Sequence, residues 1–214
     1  MIDAGTLALF LLAVLALFLS PGPNMAFMLS HGVAHGPRGG FAAALGIALA
    51  DGVHTLCAAT GITALVAAWP PSFNVLRYAG ALYLLWLAWQ ALRAGGLQTG
   101  AAPRAAGPTR IVRSALFNNL VNPKALLFFM VFLPQFVDAA RGSVPLQLVQ
   151  LGVMLSLAGL AFNTVLGACG GQLGRWLQRR PGAAKVQRGL LAAMMLGLAV
   201  RLLLLDRPST TRGL

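Results

Sequence analysis

Residues Ser20-Pro21-Gly22-Pro23-Asn24 interrupt an apolar run that begins near Thr6 and ends near Leu29. Two prolines and a glycine cannot continue a regular helix, because each proline lacks a backbone N–H and its ring clashes with the turn before it. In a bilayer the carbonyls freed by such a break find no partner in lipid. Irregular backbone therefore survives where protein or trapped water meets it. The second half of the chain repeats the pattern: Asn118-Asn119-Leu120-Val121-Asn122-Pro123-Lys124 interrupts the apolar run Ile111–Val137. Two interrupted apolar segments at corresponding places in two halves point to a transport site. Proline kinks that serve packing alone are the plainer alternative, since proline is commoner in membrane helices than in soluble ones. The Asn, Ser and Lys side chains beside the prolines favour the site.

The rest of the composition agrees with a bilayer. Of 214 residues 58% are hydrophobic and 9% charged, against about 25% charged in a soluble domain. So few charges cannot cover a water-facing surface, and the chain reads as an all-α integral membrane protein. The four acidic residues are Asp3, Asp51, Asp138 and Asp206, with no Glu. A net charge of +12 raises nucleic acid as a partner. The basic residues, however, gather in short loops between apolar runs, where membrane proteins keep them, and nucleic acid is set aside. Cys57 and Cys169 lie in apolar surroundings without CxxC spacing and read as buried, inert thiols. His31 and His35 have helical spacing but fall in a Gly-rich stretch, expected to be a loop, with no acidic or thiol neighbour. Neither a metal site nor a cofactor is implied.

Six spans are expected: Thr6–Leu29, Gly40–Trp69, Phe73–Leu92, Ile111–Val137, Val144–Cys169 and Gly189–Leu205. A membrane helix needs about 20 residues, so the second, fourth and fifth must tilt, bend or protrude. The N-terminus lacks the basic start of a secretory signal. The loops after the first, third and fifth spans carry Arg38, then Arg93, Arg104, Arg110 and Arg113, then Arg175, Arg179, Arg180, Lys185 and Arg188. By the positive-inside rule these loops are cytoplasmic and both termini face out. An Ala-, Gly- and Pro-rich linker over 95–110 divides a first three-helix unit, 1–94, from a second, 111–214. Three spans per half place the halves in inverted orientation, with the proline breaks in the first and fourth helices.

Polar residues inside the spans narrow the site. Asp51 and His54 are three apart and share a helix face. Asp51 lies about eleven residues from Gly40, roughly 16 Å deep at 1.5 Å per residue. A carboxylate at that depth marks an ion pathway or proton relay by default. A structural pairing, for instance with Lys124, is the alternative. Ala42, Gly46 and Ala50 form a small-residue stripe for close helix contact. Tyr78, Tyr83, Trp86 and Trp89 lie in the third span, the two tryptophans just before Arg93 reading as an interfacial belt. Lys124 either snorkels to the interface or faces a hydrated cleft with the Asn118–Asn122 run.

Together these residues resemble the LysE/RhtB family of amino-acid exporters. The likeness rests on the Ser20–Asn24 break, Gly46–His54, Tyr78-Ala79-Gly80-Ala81-Leu82-Tyr83-Leu84, Asn118–Lys124 with the Phe run after it, and Phe132–Phe136. It implies six helices in the inner membrane and ion-driven efflux of amino acids, not enzymatic chemistry. We expect neutral rather than dibasic substrates and proton antiport, with a homodimer admitted. The candidate substrate-binding residues are Pro21, Gly22, Pro23, Asn24, Asn119, Asn122, Pro123 and Lys124, and the candidate proton-coupling residues are Asp51 and His54. A substrate ammonium would meet Asp51 and freed carbonyls. Its carboxylate would meet Lys124 and the N–H groups of the restarting helix. The rivals are a thiol redox carrier through Cys57 and Cys169, disfavoured by their apolar setting, and a metal-cation exporter, which would want several converging ligands.

Overall fold

A computed structural model describes residues 2–20, 22–69, 71–93, 106–178 and 181–204. The described residues contain helices and turns and no strand. Helix α1, Ala4–Leu19, starts on Asp3, whose carboxylate accepts the Thr6 N–H at 2.9 Å and the Thr6 hydroxyl at 2.8 Å. These bonds hold the Asp3 carboxyl below its ordinary range, and Arg141 at 3.4 Å adds to them. The helix stops at Ser20, where the backbone turns extended. Helix α2, Pro23–Cys57, restarts with proline at its first position, where the missing N–H costs nothing.

The expected single span Thr6–Leu29 is therefore two helices, and the expected loop around Arg38 is helix. The exception inside α2 is Gly36, at φ 65° and ψ −162°. It sits before Pro37, a place where the right-handed helical conformation is disfavoured, and glycine takes the left-handed φ without strain. His31 and His35 consequently lie within α2, not in a loop, with their rings stacked at 5.7 Å. A π-helical turn, Ala58–Ile62, carries α2 into α3, Thr63–Ala68. Helix α4 is Ser72–Arg93. Helix α5, Pro108–Leu120, begins inside the expected linker, most of which lies outside the described residues. After Val121 and Asn122 come α6, Pro123–Leu127, a π-helical turn Phe128–Phe132 and a 3-10 turn Leu133–Phe136. Helices α7, Val144–Gln178, and α8, Pro181–Leu204, complete the chain.

Among the described residues two stretches, Pro23–Ile62 and Val144–Cys169, are long and apolar enough to cross a membrane. The pair Pro108–Leu120 and Pro123–Phe136, bent by 55°, makes a third if counted as one span. Helix α1 has 16 residues, about 24 Å at 1.5 Å per residue, against a hydrocarbon core of about 30 Å. Asn74, Arg77 and Arg93 dilute the apolar character of α4, and Lys185, Arg188 and Arg201 that of α8. The outer surface is apolar along the helices: Leu56, Leu82, Leu157 and Val165 are all exposed. Such a surface suits lipid and not water. Trp86 and Trp89 are exposed too, with the Arg93 guanidinium 4.3 Å above the Trp89 ring. Cys57 and Cys169 are exposed, which corrects the expectation of buried thiols. They sit on the apolar outer face, which a helix period alone could not tell from the core.

Helix α2 is the centre of the packing, lying against α7 on one side and α5 on the other, while α4 pairs with α8. Glycines set the distances. A Cβ on Gly32 or Gly40 would run into Gly167 of α7, and one on Gly46 would stand 2.6 Å from Ala115 Cβ and 3.0 Å from Leu116 N of α5. Of the expected stripe, Ala42, Gly46 and Ala50 are all buried. The larger core gathers Phe10, Leu87, Phe129, Leu148, Leu151 and Leu155; a smaller one joins Met28, Leu29, Ile47, Ile111 and Ala115.

Candidate functional site

In a helix each carbonyl accepts the N–H four residues on. Four residues after Leu17 stands Pro21, which has no N–H to give, and four after Asn119 stands Pro123. The first break thus leaves Leu17 O without its helical donor, and at the second Asn119 O keeps only a tighter-turn bond from the Asn122 N–H at 3.1 Å; in both cases a side chain from the other half of the chain adds a donor. The Lys124 ammonium donates to Leu17 O at 2.9 Å and to Ser20 O at 2.7 Å. His54 Nε2 lies 3.2 Å from Asn119 O. A carbonyl only accepts, so Nε2 carries the proton there. Asn122 caps the short helix α6 by accepting the Lys124 backbone N–H at 3.0 Å.

A chain of amides joins the breaks. Asn118 Nδ2 donates to Asn24 Oδ1 at 2.9 Å, and Asn24 Nδ2 donates to Asn119 Oδ1 at 2.6 Å. Asn119 Nδ2 donates to Ile47 O at 3.0 Å and to Asp51 Oδ1 at 2.7 Å. Asn119 is fully buried, and this network leaves neither end of its amide unpaired. The close approach of α2 and α5 at Gly46 is what brings Asn119 within reach of Ile47 and Asp51. Asp51 is 5% exposed. Its second oxygen, Oδ2, has no hydrogen-bond donor among the described residues and lies 3.8 Å from where a Cβ on Gly159 would stand.

These groups surround a cavity of about 60 Å³, space for about four waters at roughly 15 Å³ each. Its polar wall is Ser20, Gly22, Asn24, Asp51, Asn119, Asn122, Lys124 and Asn163. Its apolar wall is Leu17, Phe18, Met25, Ile47, Ala125, Phe129 and Leu155. Of the candidates named from sequence, Gly22, Asn24, Asn119, Asn122, Lys124 and Asp51 are brought together here. Pro23, Pro123 and His54 are outside the lining, and Pro21 lies outside the described residues. The pairing of Asp51 with Lys124, the alternative to a functional Asp51, is not made: the ion pairs among the described residues join Arg141 to Asp3 and Asp138. Asn163 was missed as a site residue, although an amide in the apolar run Val144–Cys169 was its signal. The apolar wall carried no signal, since its residues are like any other core residues. No group of three or more metal-ligating side chains occurs among the described residues.

The LysE type translocator family model matches residues 15–206 of this chain. The chain is 34% identical over 189 residues to the leucine efflux protein of Enterobacter sp. (strain 638), covering 86% of this chain and 88% of the relative. It is 34% identical over 195 residues to the leucine efflux protein of Klebsiella pneumoniae, covering 90% and 92%. Against the leucine efflux protein of Salmonella typhimurium it is 32% identical over 198 residues, covering 90% and 92%. No solved structure matches the chain significantly. A match across both helix breaks and nearly the whole chain places this protein in the LysE type translocator family, membrane transporters and not enzymes.

Proposed function

We propose that this protein exports neutral, apolar amino acids from the cytoplasm in exchange for protons. The observation that carries the reading is one cavity lined by an acid and a base that are not paired to each other. A zwitterion needs both. Its ammonium fits the open oxygen of Asp51. Its carboxylate fits the third donor of the Lys124 ammonium, two of which the α1 carbonyls already hold. Asn24 and Met25, at the start of α2 where helix N–H groups lack intrahelical partners, also line the cavity. The remaining wall is apolar, and Asp51 is the one acid facing it, so a second cationic group on the substrate finds no counter-charge. The relatives' name, leucine efflux protein, agrees with an apolar side chain.

In this reading Asp51 carries the coupling proton. Its protonation from outside releases the ammonium, and its deprotonation inside readies it for the next substrate. His54 steadies the end of α5 through Asn119 O. Pro21, Pro23 and Pro123 free the backbone groups that the site uses. Rocking of two inverted three-helix units, 1–94 and 111–214, in the inner membrane provides alternating access, with both termini outside. The test is proton-driven movement of radiolabelled leucine and lysine by purified protein in liposomes. Leucine transport well above protein-free liposomes, with little for lysine, is expected. Absence of transport of any neutral amino acid under an imposed pH gradient overturns the proposal.

A further inference from the structure

The carbonyls at the end of α1 hold a cation, the Lys124 ammonium. A helix C-terminus carries partial negative charge and unsatisfied carbonyls. Freed carbonyls of broken membrane helices are where transporters hold Na⁺. Here Leu17 O and Ser20 O converge at 2.9 and 2.7 Å on one point, and that point is Lys124 Nζ. The lysine stem reaches it alongside Gly22: a Cβ there would stand in ordinary contact, 3.4 Å from Lys124 Cδ and 3.6 Å from Nζ. The nearest carboxylate in the cavity, Asp51, is engaged with Asn119 and not with this ammonium.

We infer that Lys124 is a tethered cation filling a monovalent-cation site at the α1 break, so that transport is independent of Na⁺ and loss of the Lys124 side chain opens the site to a free cation. The consequence for coupling rests on the export reading above; the cation site itself does not. With the site filled by the chain's own ammonium, no external Na⁺ is needed to hold the break together, and Asp51 is left as the group that titrates.

The experiment uses purified full-length wild type, Lys124→Ala and Lys124→Met. Truncation to alanine removes three carbons and the ammonium, so propylammonium is the missing piece. Thermal unfolding is followed in NaCl, KCl, propylammonium chloride and choline chloride at equal ionic strength. Lys124→Ala should gain a saturable rise of several degrees in Tm with propylammonium or Na⁺ over choline. Wild type, already filled, and Lys124→Met, plugged by an uncharged chain, should not respond. A Lys124→Ala protein indifferent to every small cation overturns the inference. Should that variant fail to accumulate, wild type in liposomes decides: equal leucine uptake in Na⁺, K⁺ and choline at one pH gradient supports it, and a several-fold stimulation by Na⁺ refutes it. Cation binding by Lys124→Ala, beside a wild type that moves no amino acid in liposomes, would refute the export reading alone.

Discussion

Asp51→Asn separates the chemistry of this site from its architecture. Asp51 Oδ1 accepts from Asn119 Nδ2 at 2.7 Å, while Oδ2 has no donor among the described residues and Asp51 lines the cavity. The new amide can keep only one orientation, with its oxygen toward Asn119 and its NH₂ toward the cavity, since the reverse would set two donors against each other. The hydrogen bond that anchors α2 to α5 therefore survives. Because Asp51 does not pair with Lys124, removing its charge strands no cation. Stability should stay within about 0.6 kcal/mol of wild type, the average of one hydrogen bond in a membrane protein. Asp51→Leu loses that bond and should cost between roughly 0.6 and 1.7 kcal/mol. Transport should behave in the opposite way. The cavity face has changed from acceptor to donor and no longer titrates, so both ammonium binding and proton coupling fail. The assay pairs detergent unfolding with leucine accumulation in liposomes under an imposed pH gradient. Accumulation should vanish in both variants, with counterflow exchange surviving in Asp51→Asn only at high substrate concentration. Full pH-driven accumulation by Asp51→Asn would remove Asp51 from the mechanism.

The packing makes a sharper demand at Gly46. Gly46→Ala places a methyl against Ala115 Cβ and the backbone of α5 and should cost about 1–3 kcal/mol, read by unfolding, with leucine uptake falling as Asn119 is pushed from Asp51. Asn119→Leu removes three side-chain hydrogen bonds, about 2 kcal/mol in all at roughly 0.6 kcal/mol each; an unchanged Tm would show the amide chain to be incidental. In a Cys57→Ser, Cys169→Ser background, transport should persist, because neither thiol is near the cavity. A cysteine placed at Thr99 in that background should resist impermeant thiol reagents in intact cells, and its labelling would reverse the proposed orientation.

The two breaks were legible because proline is a covalent fact: Pro21 and Pro123 lack an N–H in any fold. Lys124, Asp51 and the Asn run were legible for the same kind of reason, since polar groups in an apolar run need partners. The identity of those partners was not legible. Attraction of opposite charges offered Asp51 with Lys124 as one alternative, yet two main-chain carbonyls hold the ammonium and an amide holds the acid. Such contacts depend on how closely α2 and α5 approach, which Gly46 decides only once its neighbour is known. The boundaries near Leu29 and Arg38 failed because an apolar run ends where polarity rises, whereas a helix ends where hydrogen bonding does. Gly36 breaks α2 locally, and Pro37, Arg38 and Gly39 simply resume it.

The reciprocity of the two breaks gives His54 a role that its distance from the cavity would not suggest. Lys124, from the second half, holds the carbonyls of the first break; His54, from the first half, donates to the carbonyl of the second. Both bonds cross between the halves of the chain, so the rocking proposed above would stretch them, and each would then act as a latch on the conformation described here. His54→Gln keeps an N–H donor on a similar stem, whereas His54→Leu strands Asn119 O with the Asn122 N–H as its remaining donor. If His54 is a latch, glutamine should preserve proton-driven leucine uptake, and leucine should weaken this conformation while leaving the pH dependence of the residual transport unchanged. If His54 carries a proton, both substitutions abolish coupling alike. Uptake against pH for the two variants distinguishes the cases, and loss of pH-driven accumulation in His54→Gln would refute the latch.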